Sequence, residues 1–355
     1  MTLDVETPPQ PTAPSGIATF RRGRLTRVRA ALSAGAGIAI AALLFAVTPL
    51  QGRADFLLVA YLLGAAGYLG AARQIEGRRA VVDRLAGLLV VTAVAICLLA
   101  LGSILVYTAA RGVGALSLGF FTHSMNGVGP RDTNGGAYHA ILGTLEQVLL
   151  ASLMSVPAGL LVAIYLTEFG KGRLATTVRL LVDLMVGIPS IVAGLFIYAF
   201  WVLGLHQGFS GLAAAMALSI LMLPIVVRSS EEMIKLVPST LREASYALGV
   251  SRWRTILRVV LPTASAGITT GVMLAVARVT GETAPLLLTE FGFDSINVNP
   301  FHGAQSALPL FVFNQASSAF DTAVDRAWAG ALTLIVIVLV LTAAARFVTR
   351  RSQPA

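Results

Sequence analysis

Arg278 and Glu282 are the residues whose types and spacing point most directly to chemistry on a ligand. They lie four positions apart in a mainly apolar stretch, so a continuous helix would place both side chains on one face. A charged side chain in hydrocarbon costs about 2.5 kcal/mol or more, and such residues face a wet cavity or a bundle interior. A guanidinium donates to an oxyanion in a bidentate manner, and a carboxylate can accept the O–H of a partly protonated phosphate, which sulfate lacks. We therefore predict a buried pair that forms an anion pathway together with Thr283, with a self-neutralising pair that locks helix packing as the alternative.

A second candidate lies in the polar segment 228–260, between two apolar runs. Thr240 and Glu243 have the spacing of a capping box, and Gly249 is placed to end a helix in a left-handed conformation. This pattern predicts a short helix over 241–248, which is marginal alone and needs a partner surface or the basic stretch that follows it. The residues that share one face of this helix are Leu241, Ala244, Ser245 and Leu248.

The sequence lacks the residues that several other kinds of site require. A phosphate-cradling loop requires Lys followed by Ser or Thr, whereas Lys171 and Lys235 are followed by Gly and Leu. The single cysteine, Cys97, excludes an internal disulfide and a cysteine zinc cluster. We predict no metal site and no bound cofactor, so that ATP with its Mg²⁺ would bind to partner subunits. Glu146 and Asp183 are weaker candidates because either can lie at a membrane interface.

The elements that position these residues follow from composition. Apolar residues make up 56% of the 355 residues and charged residues 12%, which excludes a disordered chain and disfavours an ordinary soluble enzyme. Charge-free runs of about 20 residues each fit a bilayer-crossing helix. The sequence therefore predicts an all-α integral membrane protein with about eight spans. The runs are 30–52, 56–72, 85–110, 147–167, two within 184–227 separated by a turn at 204–211, 259–277 and 327–345.

The distribution of basic residues sets the expected topology. With a cytoplasmic N-terminus, 21 of the 26 lysines and arginines fall on the inner side and four on the outer side. The positive-inside rule then places both termini in the cytoplasm. The net charge of +9 thus needs no nucleic acid to explain it. Residues 1–29 are predicted to be a disordered basic tail, and the long outer loops 111–139 and 290–326 are either functional or solvated connectors.

The polar segment 228–260 carries a family resemblance. Glu243, Ala244 and Ser245, followed by Gly249 and then Leu-Pro at 261–262, resemble the EAA loop of ABC importer permeases. The chain departs from that motif at Ser245, where the family has alanine. The resemblance implies that this loop docks into a groove of a separate cytoplasmic ATPase.

The stretch ARVTGETAPLLLTEFG at 277–292 resembles a signature of the A-type permease of the phosphate-specific (Pst) ABC importer. The similarity runs from about residue 84 to 350 and implies a six-helix permease domain, preceded by two additional spans within 30–83. It also implies a role for Arg278 and Glu282 in phosphate passage. The other stretches that carry the resemblance are GGAYHAILGTLEQVLLASLMSVPAGLLVAIYLTEFG at 135–170, VGIPSIVAGLF at 186–196 and SALPLFVFNQA at 306–316.

This resemblance implies a permease subunit of an ATP-driven importer of inorganic phosphate in a bacterial cell membrane. Its implied partners are a C-type permease, a dimer of cytoplasmic ATPase subunits and an extracellular phosphate-binding protein. A permease for sulfate, molybdate or phosphonate is the alternative within the class. A membrane enzyme or secondary transporter that uses Arg278 and Glu282 as a relay is the alternative outside it.

Overall fold

The computed structural model describes residues 26–47 and 52–351, so the predicted tail lies outside the described residues up to position 25. Within this part, regular structure is helical apart from one isolated β-bridge between Phe291 and Gln305. Three of the helices continue as π-helical turns, at Tyr165–Phe169, Tyr198–Gly204 and Ile256–Val260. The helices are α1 (Arg27–Val47), α2 (Arg53–Ile75), α3 (Arg78–Ala115), α4 (Tyr138–Ile164), α5 (Arg173–Val186), α6 (Ser190–Ile197), α7 (Gly211–Lys235), α8 (Ser239–Ala247), α9 (Arg252–Thr255), α10 (Leu261–Thr280), α11 (Leu286–Thr289), α12 (Leu308–Ala316) and α13 (Asp321–Arg351).

The predicted all-α membrane fold is confirmed. In the described part, seven helices are long and apolar enough to cross a membrane, and the bent pair α5 and α6 brings the number to eight if it counts as one span. Several helices extend past the charge-free runs that predicted them; the run 85–110, for example, lies within Arg78–Ala115. Charged side chains at helix ends can reach the interface, so the first charge does not mark the end of a helix.

The crossing predicted to begin at residue 184 is wrong. The chain turns by 104° between α5 and α6, so residues 184–186 end α5, Ser190 begins α6, and the two helices qualify as a span only together. Pro189 has no N–H to donate and restricts the residue before it, which ends a helix at this point. Two ion pairs join α5 to α7: Arg179 of α5 contacts Glu231 of α7 at 3.0 Å, and Asp183 of α5 pairs with Arg228 of α7.

The described residues up to 103 form one compact unit and those from 104 form another, with the boundary inside α3. The sequence analysis predicted a domain boundary at residue 83. In the first unit α1 and α2 pack as a close hairpin, because a side chain at Gly37 would overlap the backbone of Leu63. Such contacts between small residues are typical of helix pairs in membranes. At the start of α3, Arg84 contacts Glu76 at 2.7 Å.

The second unit is built around α4, α7 and α10. Leu218, Met222 and Val226 of α7 are buried against Ala151 of α4 and Ala275 of α10. α4 and α7 approach so closely that a Cβ at position 159 of α4 would lie 2.7 Å from the Val226 side chain. This packing sets the positions of both candidate sites, because α10 ends near Arg278 and α7 leads into the segment that carries α8.

Candidate functional site

Arg278 lies in the last turn of α10, at the surface of this chain. Its side chain is 66% exposed, and its Nε lies 3.9 Å from Glu282 Oε1, beyond hydrogen-bond distance. α10 ends at Thr280, so Glu282 belongs to the turn after the helix and not to a shared helical face. The predicted buried pair on one helix face is therefore wrong for the isolated chain. The continuous apolar pattern around these residues did not reveal that the helix stops before Glu282.

The local electrostatics favour a cation with unoccupied donors at this position. Carbonyl dipoles at the C-terminus of α10 stabilise a positive charge such as that of Arg278. Within the described residues, no hydrogen bond occupies the guanidinium, so its N–H groups can donate to an external acceptor. Glu282 and Thr283 are partly exposed beside it. The three predicted residues therefore lie on one short stretch and offer donors, an acceptor and a hydroxyl to an oxyanion.

The stretch that follows is held in place by backbone and hydroxyl contacts. Pro285 is buried against Gly194 of α6, where a Cβ would lie 2.6 Å from the proline Cα, so only glycine fits. Thr289 Oγ1 donates to the Pro285 carbonyl at 2.9 Å, and the Ser210 N–H donates to the Thr289 carbonyl at 3.3 Å. Residues 281–289 therefore form a fixed segment between α6 and α7.

Glu290 anchors this segment and was missed by the sequence analysis. Its side chain is fully buried, and its two oxygens accept from the Ala307 N–H at 2.9 Å and from Gln147 Nε2. Burial raises the pKa of this carboxyl group, which lies outside the helices long enough to span the membrane, and the two donors partly oppose the rise. Within the described residues, no basic side chain forms an ion pair with it.

A second amide connects this network to Glu146. Gln305 Nε2 donates to Glu146 Oε2 at 2.8 Å and to the Asn297 carbonyl at 2.9 Å, and Gln305 Oε1 accepts from Gln147 Nε2 at 3.3 Å. Glu146, a weaker candidate in the sequence, thus belongs to the buried network around the site. Asp183 does not, because it lies on α5 and pairs with Arg228.

A repeated pentapeptide could have identified the buried glutamate. Leu-Thr-Glu-Phe-Gly occurs at 166–170 and again at 288–292. In both copies the glutamate is buried, Glu168 at 8% exposure and Glu290 at 0%. A charged residue placed twice in the same apolar setting indicates a specific partner at each position.

The second candidate site, on α8, differs from its prediction at the N-terminus. The helix begins at Ser239, directly after Pro238, and no side chain caps it. The capping box of Thr240 and Glu243 is therefore wrong, since both residues lie inside the helix that Pro238 introduces. The predicted end is confirmed: Gly249 has a φ of 74°, and the two N–H groups after Leu248 donate to the Tyr246 and Ser245 carbonyls, as in a Schellman motif.

The residues of the resemblance divide between two sides of α8. Glu243, Ala244 and Gly249 are exposed, whereas Ser245 is buried with its hydroxyl 2.8 Å from that of Thr255. The predicted common face is thus split, because Ser245 packs on the basic stretch after α8. That stretch is the partner that the sequence predicted. The exposed side also presents large apolar groups, Leu241 at 41%, Tyr246 at 42% and Leu248 at 84% exposure.

Comparisons with known proteins show which family the chain is similar to. Residues 155–354 match the family model of the binding-protein-dependent transport system inner membrane component. The chain is 44% identical over 285 residues to the phosphate transport system permease protein PstA 1 of Mycobacterium tuberculosis strain H37Rv, covering 79% of this chain and 92% of that protein. It is 39% identical over 256 residues to the phosphate transport system permease protein PstA of Yersinia pestis, covering 70% and 84%.

Solved structures show the same fold at low sequence identity. The chain resembles a structure of the inward-facing MetNI methionine ABC transporter with a TM-score of 0.52 and 19% identity, over 61% of this chain and 95% of that one. It also resembles a bacterial ABC transporter involved in import of the polysaccharide alginate, with a TM-score of 0.53 and 15% identity, over 76% and 96%.

Proposed function

This chain belongs to the family of binding-protein-dependent transport system inner membrane components, and from that premise we propose that it is the permease subunit of an importer of inorganic phosphate. The observation that carries the proposal is the 44% identity to a phosphate transport system permease over 79% of this chain. A relationship of this extent favours phosphate over sulfate, molybdate or phosphonate. The chain is a multi-pass membrane protein and contributes a pathway for the anion.

Phosphate passes the surface that carries Arg278, Glu282 and Thr283. The guanidinium supplies charge-assisted donors, and Glu282 accepts the O–H of the monoprotonated or diprotonated ion. Because Arg278 is exposed on the surface of the isolated chain, the pathway is completed by a second permease of the C type, which covers this surface. The fixed segment 281–289 keeps the polar groups at constant positions while the helices move.

ATP and Mg²⁺ act on separate subunits. The exposed side of α8, with Glu243, Ala244 and Gly249 among large apolar groups, suits docking into a groove of an ATPase, and one of two ATPase subunits binds here. Both termini lie in the cytoplasm, and an extracellular phosphate-binding protein delivers the ion on the opposite side. The outer loops after α3 and α11 are the surfaces available to that protein.

Uptake in cells whose phosphate import depends on this chain tests the proposal. Labelled phosphate should accumulate, unlabelled phosphate should compete with it, and a tenfold excess of sulfate or molybdate should not. An ATPase subunit should co-purify with the chain. Uptake that continues when the ATPase subunit is inactivated would instead support a secondary transporter, and competition by sulfate would support a different oxyanion.

Glu282→Gln tests the proposed recognition of the phosphate O–H. The substitution keeps the size of the side chain but replaces one acceptor oxygen with a donor. Phosphate uptake should fall, while the amount of protein in the membrane stays unchanged. Normal uptake in this variant would remove the role assigned to Glu282 and leave the family assignment intact.

A further inference from the structure

The C-terminal end of α4 is tied to α8 by one buried ion pair. Glu168 lies in the π-helical turn Tyr165–Phe169, and its side chain is only 6% exposed. Arg242 of α8 donates to the same Glu168 oxygen twice, from Nε at 3.1 Å and from Nη2 at 2.9 Å. The pair is therefore more enclosed than an ordinary surface ion pair between flexible side chains.

The same guanidinium also binds the end of α7. Arg242 Nη1 donates to the Val237 carbonyl at 2.6 Å, and Nη2 donates to the Ile234 carbonyl at 3.0 Å. Ile234 lies in the last turn of α7, where its carbonyl also accepts from the Val237 N–H at 3.3 Å, and Val237 lies two residues after the helix. One arginine thus connects three elements: α8, the end of α7 and the end of α4.

Among the described residues, the other side-chain hydrogen bond of α8 runs to the stretch that follows it. Ser245 bonds to Thr255, which fixes α8 to the stretch that follows it. Arg252 of that stretch lies 4.6 Å above the ring of Phe169, so the neighbouring segment also rests on the end of α4. Ile256 and Val260 of the same stretch are buried against Ile164 of α4 and Ile234 of α7, so without Arg242 the link from α8 to these helices would be indirect and would run through Ser245 and this stretch.

We propose that Arg242 and Glu168 are positioning residues that transmit displacement of α8 to α4 and α7. The proposal rests on the proposed function, in which an ATPase subunit moves α8. α4 and α7 form the tightly packed centre of the second unit, together with α10 that carries Arg278. A rigid link from α8 to this centre turns motion of the ATPase into motion of the pathway helices. A loose link lets the ATPase hydrolyse ATP while the pathway stays in place.

The test uses the complete transporter in proteoliposomes, with phosphate uptake and ATP hydrolysis measured on the same preparation. In Arg242→Gln we expect ATPase subunits to remain bound and ATP hydrolysis to stay within twofold of the wild type. Phosphate taken up per ATP hydrolysed should fall at least tenfold. Glu168→Gln should reduce this ratio less, because Arg242 keeps its hydrogen bonds to the carbonyls of Ile234 and Val237. Arg173→Gln removes an exposed arginine of α5, outside the segment 228–260, and should keep the wild-type ratio.

A second variant keeps the proposal testable if Arg242→Gln folds poorly. Arg242→Gln leaves the Glu168 carboxylate buried without its cation, which destabilises a protein. The double variant Glu168→Gln/Arg242→Gln contains no unpaired charge, so it should assemble like the wild type and still show the reduced ratio of uptake to hydrolysis. A wild-type ratio in either Arg242→Gln or the double variant overturns the proposal. A wild-type complex that imports no phosphate overturns the proposed function itself.

Discussion

Glu290 gives the sharpest prediction about the contacts that stabilise the site. Removing its side chain should cost much more stability than replacing it with a neutral side chain of the same size. Glu290→Ala leaves the Ala307 N–H and one N–H of the Gln147 amide without their acceptor in a fully buried place. Each unsatisfied buried group costs about 1–3 kcal/mol, so the variant should lose about 2–6 kcal/mol of unfolding free energy, with a further loss from the cavity.

Glu290→Gln should be tolerated. One amide oxygen can still accept from Ala307, and the new NH₂ needs an acceptor at the Gln147 side chain. Gln147 Oε1 is buried without a partner, so a flip of that amide would supply the acceptor, with loss of the 3.3 Å hydrogen bond that Gln147 Nε2 donates to Gln305 Oε1. We expect this variant to be about 1 kcal/mol less stable than the wild type, because the bond to position 290 is restored and one hydrogen bond, to Gln305, is lost.

The pH dependence follows from the raised pKa of the Glu290 carboxyl group. A group that binds its proton more tightly in the folded state contributes stability below its unfolded pKa of about 4.5, and that contribution falls as pH rises toward the folded pKa. The wild type should therefore lose part of its stability as pH rises above 4.5. Glu290→Gln has no carboxyl group at this position and should not show this loss.

Thermal unfolding of the purified chain in detergent, followed across pH 5 to about 9, measures both effects. Glu243→Ala, at an exposed position of α8, is the control and should leave the midpoint unchanged. A midpoint for Glu290→Ala equal to the wild type, or a midpoint for Glu290→Gln as low as that for Glu290→Ala, would refute the reasoning.

Three further predictions concern the surroundings of the two sites. Gly194→Ala should reduce phosphate uptake, because a Cβ would lie 2.6 Å from the Pro285 Cα and displace the segment 281–289; uptake equal to the wild type would contradict this. Leu248→Ser should leave the melting temperature of the chain unchanged, since Leu248 is 84% exposed, but should reduce co-purification of the ATPase subunit; undiminished co-purification would count against docking there. Glu231→Gln should lower the melting temperature, since this buried carboxylate lies among three basic groups, and an unchanged melting temperature would contradict that role. The basic groups are Arg179, Arg228 and Lys235.

The membrane fold could be predicted from the sequence because hydrocarbon excludes charge over a fixed length of helix. The same rule failed at α5 and α6, where an apolar run continues through a bend. Gly187 and Pro189 were present in the sequence, but the contacts that orient α5 were not local. Arg179 and Asp183 find their partners on α7, about 50 residues away, and no pattern within α5 indicates them.

The role of Arg278, Glu282 and Thr283 stays a prediction, whereas the geometry predicted for Arg278 and Glu282 differs from the structure. Spacing identified Arg278 and Glu282, but the end of α10 at Thr280 changes their relation from a helical pair to a loose contact. Glu290 and Glu168 were missed because their roles depend on remote partners. Glu168 needs Arg242, and the carboxyl group of Glu290 needs donors from positions 147 and 307.

Phosphate uptake by cells whose only copy of the chain carries Arg278→Ala tests the central claim most directly. The charge-assisted hydrogen bonds lost are worth about 1.5–3 kcal/mol each, so uptake should fall about tenfold to more than a hundredfold at equal expression. Arg111→Ala, which removes another exposed arginine near the end of a span, should keep wild-type uptake. Wild-type uptake in Arg278→Ala would contradict the role of this guanidinium in the passage of phosphate.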